Sequence, residues 1–535
     1  MRLSGTTRQL NLKQNLSPLI AAMLRPQFYP HNPSKVELRQ THISYVILAG
    51  PYVYKVKKAV KFDFLDYSTL ENRRHFCEEE MRLNRRLAPN TYLATVRIGR
   101  ANGDFFLDEK NLTDGQRIVE YAVKMNRLPE NRMLKTLVLD GAAKTTHILA
   151  VAKKLAAFHE KAPRENSARY GSLQAIASKL SENFRDTRRF VGQTIGRRSF
   201  DAIQDFNNAF LKANSDLLER RISAGRVREC HGDLRAEHIC LIDAIEIFDC
   251  VEFDESLRYG DVASEIGFLA MDLDFLGQPE LSAKLENAYA SAARDANLAA
   301  LLPFYKCYRA CVRGKVESLK SEETEVTEPE QREAALQAIR YFLLATRYAK
   351  GATKPMLLIV CGMVASGKST VARLLSARTG FSVIDSDSMR KQLAGISPTT
   401  RAAEKYLSGI YSSEFTRLTY DALLKAAEDQ LAKGHGVIID ATFGNVEHRR
   451  PFTDLASRFH VPLLFLECQA DEDTIRRRLK ERQSDETQAS DATWSVYEQM
   501  RSDYHAPSEI PESGRVELDT ERELLASLTK LEYRF

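Results

Sequence analysis

The chain has 535 residues, too many for one hydrophobic core, so two or three domains are expected. Hydrophobic residues make up 44% and charged residues 28% of the sequence, which is typical of a soluble globular protein. The 77 basic and 72 acidic residues nearly balance at a net charge of +5, so charge alone does not favour a nucleic acid partner.

The start of the chain has no apolar segment of the kind that secretory signals carry, and no apolar run approaches the length of a membrane span. The eight cysteines are scattered, and no pair has the C-x-x-C spacing of a zinc site. Cys307 and Cys311 lie four residues apart on a predicted helix, where we favour packing over metal binding. These observations predict a cytoplasmic protein with reduced thiols and no membrane association.

In chain order, a polar start and a short amphipathic stretch reach residue 30, and strands with one helix follow. The predicted elements are strands over 41–48 and 52–60 around a turn at Gly50, a helix over 68–87, and strands over 91–99, 104–109 and 117–125. Residues 131–220 have mostly helical spacing, residues 226–252 contain short strand-like pieces, and residues 260–320 are helical again. The first part of the chain therefore begins with a hairpin and continues mainly as helix.

An acidic loop over 321–331, interrupted by Pro329, and a helix over 332–348 end this part, and the best boundary is 351–355. Beyond it, strands and helices alternate over 356–361, 368–378, 381–384, 402–433, 436–440, 447–459, 463–467 and 472–482. This alternation is typical of a parallel sheet between helix layers. The sequence therefore predicts two domains, 30–350 and 351–535, the second with an α/β fold.

A phosphate-binding motif begins the second domain. The apolar run 356–361 leads into residues 362–369, which fit G-x-x-x-x-G-K-[ST] between a strand and a helix. Glycines let backbone N–H groups approach crowded phosphate oxygens, and the helix N-terminus adds its positive end. Lys368 would reach the β- and γ-phosphates, and the Ser369 hydroxyl would hold Mg²⁺. The predicted nucleotide-binding residues are Gly362, Met363, Val364, Ala365, Ser366, Gly367, Lys368, Ser369 and Thr370.

A second set of candidate catalytic residues lies in the first domain. Asp233 stands in the loop HGDLRAEH, and Asp249 ends the apolar strand IEIFD. In a kinase site, one carboxylate in a loop takes or orients the acceptor proton, and another after the next strand holds Mg²⁺ on the nucleotide. Upstream, Lys55 and Lys57 share one face of a predicted strand, and one of them is expected to pair with the α- and β-phosphates. The helical Glu80 is a candidate for fixing that lysine.

These residues resemble the aminoglycoside-phosphotransferase-like branch of the protein-kinase-like fold, which carries H-x-D-x-x-x-x-N and a later metal-binding Asp. Longer segments, among them THISYVILAGPYVYKVKK and FDCVEFDESLRYGDVASEIGFLAMDLD, are similar to a bacterial group that fuses such a domain to a P-loop ATP-binding domain. The resemblance covers nearly the whole chain after about residue 30. It implies an α+β protein-kinase-like first domain, in which the catalytic base, metal ligand, nucleotide lysine and lysine partner are Asp233, Asp249, Lys55 and Glu80.

The sequence departs from this branch where His238 replaces the Asn that ends the loop motif. Mg²⁺ prefers hard oxygen ligands and an imidazole suits it poorly, so a single-metal site or a weakened kinase is one alternative. A domain that binds nucleotide without turnover is another, and a third is that His231 and Asp233 only tie the loop together. No G-x-G-x-x-G precedes the lysine strand, and this branch often lacks one.

Two arginines are candidate substrate residues at the end of the first domain. Arg309 and Arg313 lie four residues apart and share one face of a predicted helix. Such a pair suits an anionic substrate, and a solvated helix face is the alternative of equal weight.

The strand 382–384 of the second domain delivers Asp385 and Asp387 to the edge at which α/β sheets bind ligands. Asp387-Ser-Met-Arg390 resembles the D-x-x-R of polynucleotide-kinase-like, zeta-toxin-like and related P-loop kinases. The resemblance implies that Asp387 takes the proton of the acceptor hydroxyl and that Arg390 grips an anionic group on the acceptor. The alternative is that Asp387 caps the following helix.

The next apolar strand of this domain, 436–439, ends in Asp440. A carboxylate at this place suits a Walker-B-like role, in which it bonds Ser369 or a metal-bound water.

An arginine-rich helix near the end of the chain is similar to the lid of P-loop kinases, with Arg478 and Arg482 as candidate phosphate ligands. Lids exclude water and neutralise charge during phosphoryl transfer. For each arginine a solvated helix face is an equal alternative. Trp494, the single tryptophan, is expected to pack rather than stack on substrate.

The sequence as a whole predicts a bifunctional phosphotransferase that uses ATP and Mg²⁺ at two sites, each passing the γ-phosphoryl group to the hydroxyl of a small molecule. A regulatory protein in which one domain binds ATP without turnover is the main alternative, and His238 favours it. A P-loop ATPase or a nucleic acid kinase is a further alternative, which the near-neutral charge does not favour.

Overall fold

The computed structural model describes residues 16–62, 65–108, 117–164, 168–323, 326–351, 354–396, 409–483, 493–521 and 531. The chain divides into two compact units. The first unit contains the described residues up to Lys179 together with Phe210–Lys306, and the second contains Leu180–Ala209 and the described residues from Cys307 onward.

The helices and strands of the described residues are numbered in chain order. The helices are α1 (Pro18–Met23), α2 (Leu70–Asn84), α3 (Leu134–Leu139), α4 (Thr145–Lys161), α5 (Ala168–Gly171), α6 (Leu173–Thr187), α7 (Arg197–Ala213), α8 (Ser215–Ser223), α9 (Glu255–Arg258), α10 (Val262–Phe275), α11 (Pro279–Ala292), α12 (Leu298–Ser321), α13 (Glu328–Lys350), α14 (Lys368–Thr379), α15 (Ser386–Leu393), α16 (Ser413–Ala432), α17 (Val446–Arg458), α18 (Glu472–Gln483) and α19 (Trp494–Asp503). The strands are β1 (Val36–Gln40), β2 (Ser44–Ala49), β3 (Tyr52–Lys57), β4 (Lys61–Phe62), β5 (Leu65–Asp66), β6 (Tyr92–Ala101), β7 (Asp104–Asp108), β8 (Arg117–Asn126), β9 (Val227–Glu229), β10 (Ile239–Leu241), β11 (Ile245–Ile247), β12 (Tyr259–Asp261), β13 (Leu357–Cys361), β14 (Ser382–Asp385), β15 (Val437–Asp440), β16 (Leu463–Gln469) and β17 (Arg515–Asp519).

An antiparallel sheet of six strands begins the first unit, in the order β1-β2-β3-β8-β6-β7. Gly50 makes the turn between β2 and β3 with a φ of 61°, a left-handed conformation that suits glycine. Side chains alternate along β3, so Lys55 and Lys57 lie on one face of the sheet while Tyr54 and Val56 lie on the other. The predicted hairpin is therefore confirmed, with both lysines on the same face.

Helix α2 packs on the face of the sheet that carries the two lysines. The hydroxyl of Thr69 caps its N-terminus by accepting a backbone N–H of the first turn. Cys77 and Met81 of the helix are buried in one apolar cluster with Val53 of β3. Glu80 of the same helix is fully buried, so α2 delivers a carboxylate to the lysine strand.

Two short antiparallel strand pairs, β9 with β12 and β10 with β11, frame the loops that carry the candidate carboxylates of the first unit. The backbone N–H of Val251 donates to the His231 carbonyl at 3.1 Å, and that of Phe248 donates to the His238 carbonyl at 3.0 Å. These bonds hold the segment after β11 beside the loop between β9 and β10.

Five parallel strands in the order β14-β15-β13-β16-β17 form the sheet of the second unit. All five residues of β13 are buried, as expected for a central strand covered on both faces. One face is covered by α13 and α14, through residues such as Ile339, Val371 and Leu375. The other is covered by α16 and α17, through Leu423 and Phe452. The predicted α/β fold with a parallel sheet between helix layers is therefore confirmed.

The predicted domain limits, 30–350 and 351–535, do not coincide with the division into two units. Leu180–Ala209 and the helical chain between Cys307 and Lys350 belong to the second unit. Packing explains this, because Ile339 of α13 is buried in the same cluster as the P-loop helix. A boundary read from composition marks where the motif begins, whereas side-chain packing joins α13 to the sheet that follows it.

Helix α13 begins at Glu328, four residues before its predicted start. Thr327 and Glu330 form a reciprocal capping box at its N-terminus. Pro329, which suggested a loop, occupies the first turn, where its missing N–H removes no hydrogen bond. Strands β1 and β17 were not predicted, because each has only two apolar residues, Val36 and Leu38 in β1 and Val516 and Leu518 in β17, which is too short an alternation to identify a strand. Residues 402–408 of a predicted helix lie outside the described residues.

The eight cysteines are all buried and unbridged. Cys307 and Cys311 accept hydrogen bonds from the side-chain amides of Asn207 and Asn183, which agrees with a packing role. None of the described helices combines the length and the apolar character that crossing a bilayer requires.

Candidate active sites

Lys55 of β3 lies between two carboxylates of the first unit. Its Nζ is 2.6 Å from Oδ1 of Asp249 and 2.9 Å from Oε1 of Glu80. Asp249 has a φ of 64°, in the left-handed region that residues other than glycine rarely adopt. Backbone strain of this kind persists where surrounding contacts hold it, often at functional sites. The structure thus brings together three residues that the sequence assigned to one nucleotide site, and their roles stay predictions.

Lys57 lies on the same strand face and is fully enclosed, with 1% of its surface exposed. Its Nζ is 2.8 Å from Oε2 of Glu80 and 3.3 Å from the Tyr67 hydroxyl, and it also contacts the carboxylate of Glu252. The Tyr67 hydroxyl donates to Glu252 at 2.5 Å. Glu80 therefore bridges Lys57 and Lys55 with one carboxylate oxygen for each lysine.

The charges of this cluster stabilise one another. Burial alone would lower the pKa of Lys55, but the carboxylates of Asp249 and Glu80 outweigh it and raise the pKa well above its usual range. The pKa of Lys57 is raised in the same way, by Glu252 and Glu80 against its burial. Burial would raise the pKa of Glu252 and Asp249, and the neighbouring lysine charges lower both. Lys55, Lys57, Glu252 and Asp249 are therefore charged at neutral pH, and removing one leaves its partners unbalanced.

Glu265 of α10 holds the loop between β9 and β10. Its carboxylate accepts the backbone N–H groups of His231 and Gly232, each at 2.8 Å, and is 2.8 Å from Nε2 of His159. The other ring nitrogen of His159 is 2.7 Å from the Tyr289 hydroxyl. Burial would raise the pKa of Glu265, but the hydrogen bond and charge of His159 lower it to about 2. The buried carboxylate of Glu265 therefore fixes the backbone of the two residues that precede the candidate base Asp233.

Asp233, the candidate base, is held by Arg235. Nε and Nη2 of Arg235 lie 3.1 Å and 3.0 Å from the two carboxylate oxygens, a bidentate pair. Arg235 also pairs with Glu237. Sequence reasoning missed Arg235, although its position two residues after Asp233 was a signal, since a cation there can neutralise the loop carboxylate.

His238 lies beside the candidate metal ligand Asp249. Its Nδ1 is 2.8 Å from the main-chain oxygen of Asp233, which can only accept, so Nδ1 carries the proton. Its Nε2 is 3.7 Å from Oδ2 of Asp249. The structure therefore places the imidazole at the position where the resembling branch has an Asn side chain.

Arg309 and Arg313 belong to the second unit, whereas Asp233 and Asp249 belong to the first. Arg313 is mostly buried, pairs with Glu317 at 2.5 Å and lies 5.7 Å from the centre of the Tyr341 ring, which excludes a solvated face for this residue. The guanidinium of Arg309 lies 5.9 Å from the Tyr308 ring. Neither contact joins them to a candidate catalytic carboxylate, and their substrate role stays a prediction.

The P-loop of the second unit has a backbone that only small residues permit. Gly362 has a φ of 131°, and a Cβ there would lie 2.4 Å from the Cys468 carbonyl oxygen. Gly367 has a φ of 95°, and a Cβ there would lie 2.9 Å from Thr520. Ala365 is also left-handed, at 60°. The close approach of neighbouring backbone therefore explains both glycines of the motif.

Lys368, Ser369 and Asp440 meet at the end of the central strands. Nζ of Lys368 donates to the Met363 carbonyl within the loop at 2.8 Å. Asp440 ends β15, is buried and lies near Ser369. Burial raises the pKa of Asp440, and the Lys368 charge opposes this rise. The Walker-B-like placement of Asp440 beside Ser369 thus agrees with the sequence.

Asp385, and not Asp387, caps helix α15, because its carboxylate accepts the backbone N–H of Ser388 at 2.8 Å. The alternative that Asp387 is the cap is therefore wrong. The Asp387 side chain is half exposed and lies 3.5 Å from Arg390. Arg390 is 8% exposed, and its guanidinium lies 4.8 Å from the centre of the Tyr411 ring. Among the described residues no group accepts a hydrogen bond from its Nε.

These groups line one cavity of about 720 Å³, large enough for a nucleotide and a small acceptor. Beyond the P-loop its wall includes the stacked rings of Tyr420 and His448, whose centres are 4.0 Å apart. Among the described residues, the charged side chains of the lining are three cations and six carboxylates, namely Lys368, Arg390 and Arg417 with Asp385, Asp387, Asp421, Asp440, Glu447 and Asp503. The cavity is therefore more acidic than basic.

The candidate lid arginines are placed differently from one another. Arg478 donates to the Ala365 carbonyl at 3.2 Å and to both oxygens of Thr520, and it does not line the cavity. It thus supports the P-loop from outside, and phosphate contact by Arg478 stays a prediction. The side chain of Arg482 lies outside the described residues. Trp494 packs against the apolar cluster of Ala365 and stacks on Arg476 at 3.9 Å, which confirms its predicted packing role.

The donor atoms of the two sites suit Mg²⁺ unequally. In the second unit, the Ser369 hydroxyl and the Asp440 carboxylate are hard oxygen ligands and fit Mg²⁺. In the first unit, Asp249 fits equally well, but the second donor facing it is the ring nitrogen of His238. Mg²⁺ would therefore be held by oxygen in the second unit and by Asp249 alone in the first.

Several functional residues were not found in the sequence. Glu252 and Glu265 were missed because a buried carboxylate resembles a solvated one until its partners are known. A signal for Glu252 existed, since it lies three residues after Asp249 on the same segment. The sequence offered Lys57 only as an alternative to Lys55, whereas in the structure both lysines pair with Glu80.

Comparisons with known proteins agree with this geometry. Residues 357–507 match the AAA_33 family, described as an AAA domain, which confirms the predicted P-loop domain. Over 481 residues the chain is 31% identical to the uncharacterized protein Rv2004c of Mycobacterium tuberculosis, covering 90% of this chain and 93% of the relative.

Two solved structures are similar to parts of the chain. A choline/ethanolamine kinase family protein from Mesorhizobium loti is 10% identical, with a TM-score of 0.39, covering 67% of this chain and 99% of its own. Kti12 from Chaetomium thermophilum, solved in complex with ADP-AlF3, is 21% identical, with a TM-score of 0.26, covering 33% of this chain and 96% of its own.

Replacing Lys57 with Met should destabilise the first unit by about 3–5 kcal/mol, because Glu80 and Glu252 then lose a shared buried cation. Hydrogen exchange of the β2–β3 amides in the full chain would measure this loss. Trp494, the single tryptophan, belongs to the second unit, so its fluorescence gives an internal reference that should not change.

The matched control is Lys61→Met, which removes an exposed pair with Asp66 and should leave amide exchange unchanged. Adding Glu252→Gln to Lys57→Met should restore part of the protection, because it removes one of the unpaired carboxylates. Unaltered exchange in Lys57→Met would contradict the charge network described above.

Proposed function

This chain belongs to the family of the mycobacterial protein Rv2004c, and we propose that it is an ATP-dependent phosphotransferase with two kinase-type sites. The observation that carries the proposal is a cavity of the second unit whose lining joins the P-loop to Asp387 and Arg390. A hydrolase needs space only for water beside the γ-phosphate, whereas a cavity of about 720 Å³ also accommodates an acceptor.

In the second unit, the acceptor oxygen attacks the γ-phosphorus as the bond to the β–γ bridging oxygen breaks, and ADP leaves. Asp387 is positioned to take the hydroxyl proton, because it is half exposed at the end of β14 and lines the cavity. Lys368 and the loop N–H groups neutralise charge on the phosphates. Mg²⁺ on Ser369 and Asp440 would neutralise further charge when bound.

The acceptor of this site is a small molecule rather than a nucleic acid. The part of the cavity wall that the structure describes has six carboxylates against three cations, a balance that would repel a polyanion. Arg390 is buried, and among the described residues its Nε donor has no hydrogen-bond acceptor. It could therefore donate to one anionic or hydrogen-bond-accepting group of the acceptor molecule.

In the first unit, Lys55 would bind the α- and β-phosphates and Asp249 the metal, and Asp233 would orient the acceptor hydroxyl. The charge cluster around Glu80 supports this assignment, because it holds the lysine and the metal ligand at 2.6 Å. Arg235 would neutralise charge beside Asp233 during transfer.

A regulatory protein is the second candidate function, and the first unit favours it. Asp233 is bound on both oxygens by Arg235, and His238 stands at the metal position. In that case the first unit would bind ATP without turnover and control the second.

Asp387→Asn in the full chain should leave ATP affinity nearly unchanged and lower acceptor-dependent ADP release by about 10²–10⁴-fold, the range for a positioned base. The measurement uses a panel of sugars, polyols and amino alcohols, in an Asp233→Asn background that silences the first site. Lys368→Ala should weaken ATP binding and abolish this turnover. Full acceptor-dependent activity in Asp387→Asn would overturn the assignment of the base.

Asp249→Asn should weaken Mg-nucleotide binding by the first unit, whereas Asp233→Asn should leave binding intact and stop turnover. The reason is that metal binding and hydroxyl positioning are separate tasks. Both are measured in the full chain with Lys368→Ala, by nucleotide titration and ADP release. Nucleotide affinity that survives Asp249→Asn would contradict the metal role, and nucleotide binding without any turnover before mutation would favour the regulatory function.

A further inference from the structure

We propose that His238 and Asp249 form a mixed nitrogen–oxygen site that selects Mn²⁺ over Mg²⁺ in the first unit, an inference that rests on the proposed nucleotide binding there. The two residues come from different loops and meet across the position of the metal. Neither the family match nor the fold assigns a role to this imidazole, which replaces the amide of the resembling branch.

The tautomer of His238 leaves its second nitrogen available as a ligand. Nδ1 donates its proton to the main-chain oxygen of Asp233 at 2.8 Å, so in the neutral imidazole Nε2 carries the lone pair. Metal-binding histidines generally donate the other ring N–H to a carbonyl or carboxylate in this way. The hydrogen bond to Asp233 therefore supplies the orientation that a metal ligand needs.

The spacing of the two donor atoms fits one ion. Nε2 of His238 is 3.7 Å from Oδ2 of Asp249. Two ligands at roughly 2.0–2.2 Å from a shared ion are at most about 4.4 Å apart, so a cation can bridge these atoms without rearrangement. The other oxygen of Asp249 is engaged by Lys55, which leaves Oδ2 to face the imidazole.

Both side chains are held in place by the surrounding structure. His238 is 7% exposed, and its ring contacts the rings of His231 and Phe248. Asp249 is fixed by Lys55 and by its left-handed backbone. The pair is therefore preorganised, while the side chain of Asp249 remains 44% exposed towards a nucleotide.

The donor set decides between the two ions. Mg²⁺ requires oxygen ligands in near-ideal octahedral geometry and dehydrates reluctantly. Imidazole nitrogen binds transition metals, and Mn²⁺ also accepts the carboxylate, phosphate and water oxygens that complete a nucleotide complex. A site with one imidazole and one carboxylate therefore favours Mn²⁺ while remaining suited to Mn-ATP.

The test uses full-length protein with Lys368→Ala, which weakens nucleotide binding at the P-loop, and Mn²⁺ with a non-hydrolysable ATP analogue as the probe. Pulsed electron paramagnetic resonance detects nitrogen nuclei bound to Mn²⁺. We expect imidazole nitrogen coupling in this protein and its loss in His238→Asn. Competition with Mg²⁺ should show a Mn²⁺ preference that falls about tenfold or more in His238→Asn, as expected when a ligand is removed.

The matched control is His448→Asn in the same background, which should keep the nitrogen coupling because His448 belongs to the cavity of the second unit. Nucleotide bound with Mn²⁺ but without nitrogen coupling would overturn this inference and leave the proposed function intact. This reading needs only the unmutated site, so it decides the question even if His238→Asn does not fold.

Absence of any nucleotide binding by the Lys368→Ala protein would contradict the proposed function of the first unit itself, and this inference with it. A nitrogen coupling that persists in His238→Asn would also overturn the assignment, because the ligand would then be another histidine.

Discussion

The first unit depends on one buried carboxylate, Glu80, whose two oxygens each bind a lysine of the same strand. A buried charge is tolerated only when paired, and here the pairing extends through Lys55 to Asp249 and through Lys57 to Glu252. Helix α2, strand β3 and the segment after β11 are therefore locked by one set of charges. The arrangement fixes Lys55 next to Asp249, the two residues proposed to bind the phosphates and the metal.

The second unit uses backbone N–H groups where the first unit uses buried side-chain charges. Its phosphate cradle consists of N–H groups held by left-handed residues and by the close approach of Cys468 and Thr520. Among the described residues of that cavity, Asp440 is the one buried carboxylate, and the Lys368 charge opposes the effect of its burial. The proposed phosphate site of the first unit thus relies on buried side-chain charges, and that of the second on oriented peptide dipoles.

What the sequence could predict follows from how local each signal is. The P-loop, the alternation of strands and helices in the second unit and the lysine hairpin depend on spacing within a few residues, and the structure has them where the sequence placed them. The roles of Glu252 and Glu265 depend on partners far along the chain, as the pairing of Glu252 with Lys57, 195 residues away, illustrates. The sequence offered Asp387 as a possible helix cap, whereas the structure has Asp385 in that role. The two carboxylates lie two residues apart, and only the backbone geometry shows which of them accepts the N–H of the helix. The sequence placed α13 in the first domain, because amino-acid composition does not show which sheet a helix packs against.

Thr520, which lies 154 residues after Ser366, supports the P-loop. Thr520 donates to the Ser366 carbonyl at 2.7 Å and accepts Arg478, and so holds the loop from the end of the edge strand β17. During synthesis on the ribosome, the phosphate cradle is therefore completed only after Thr520 has emerged. Until then the growing chain lacks the contacts that hold the loop at Ser366, so the earlier strands of this sheet fold without a finished phosphate site.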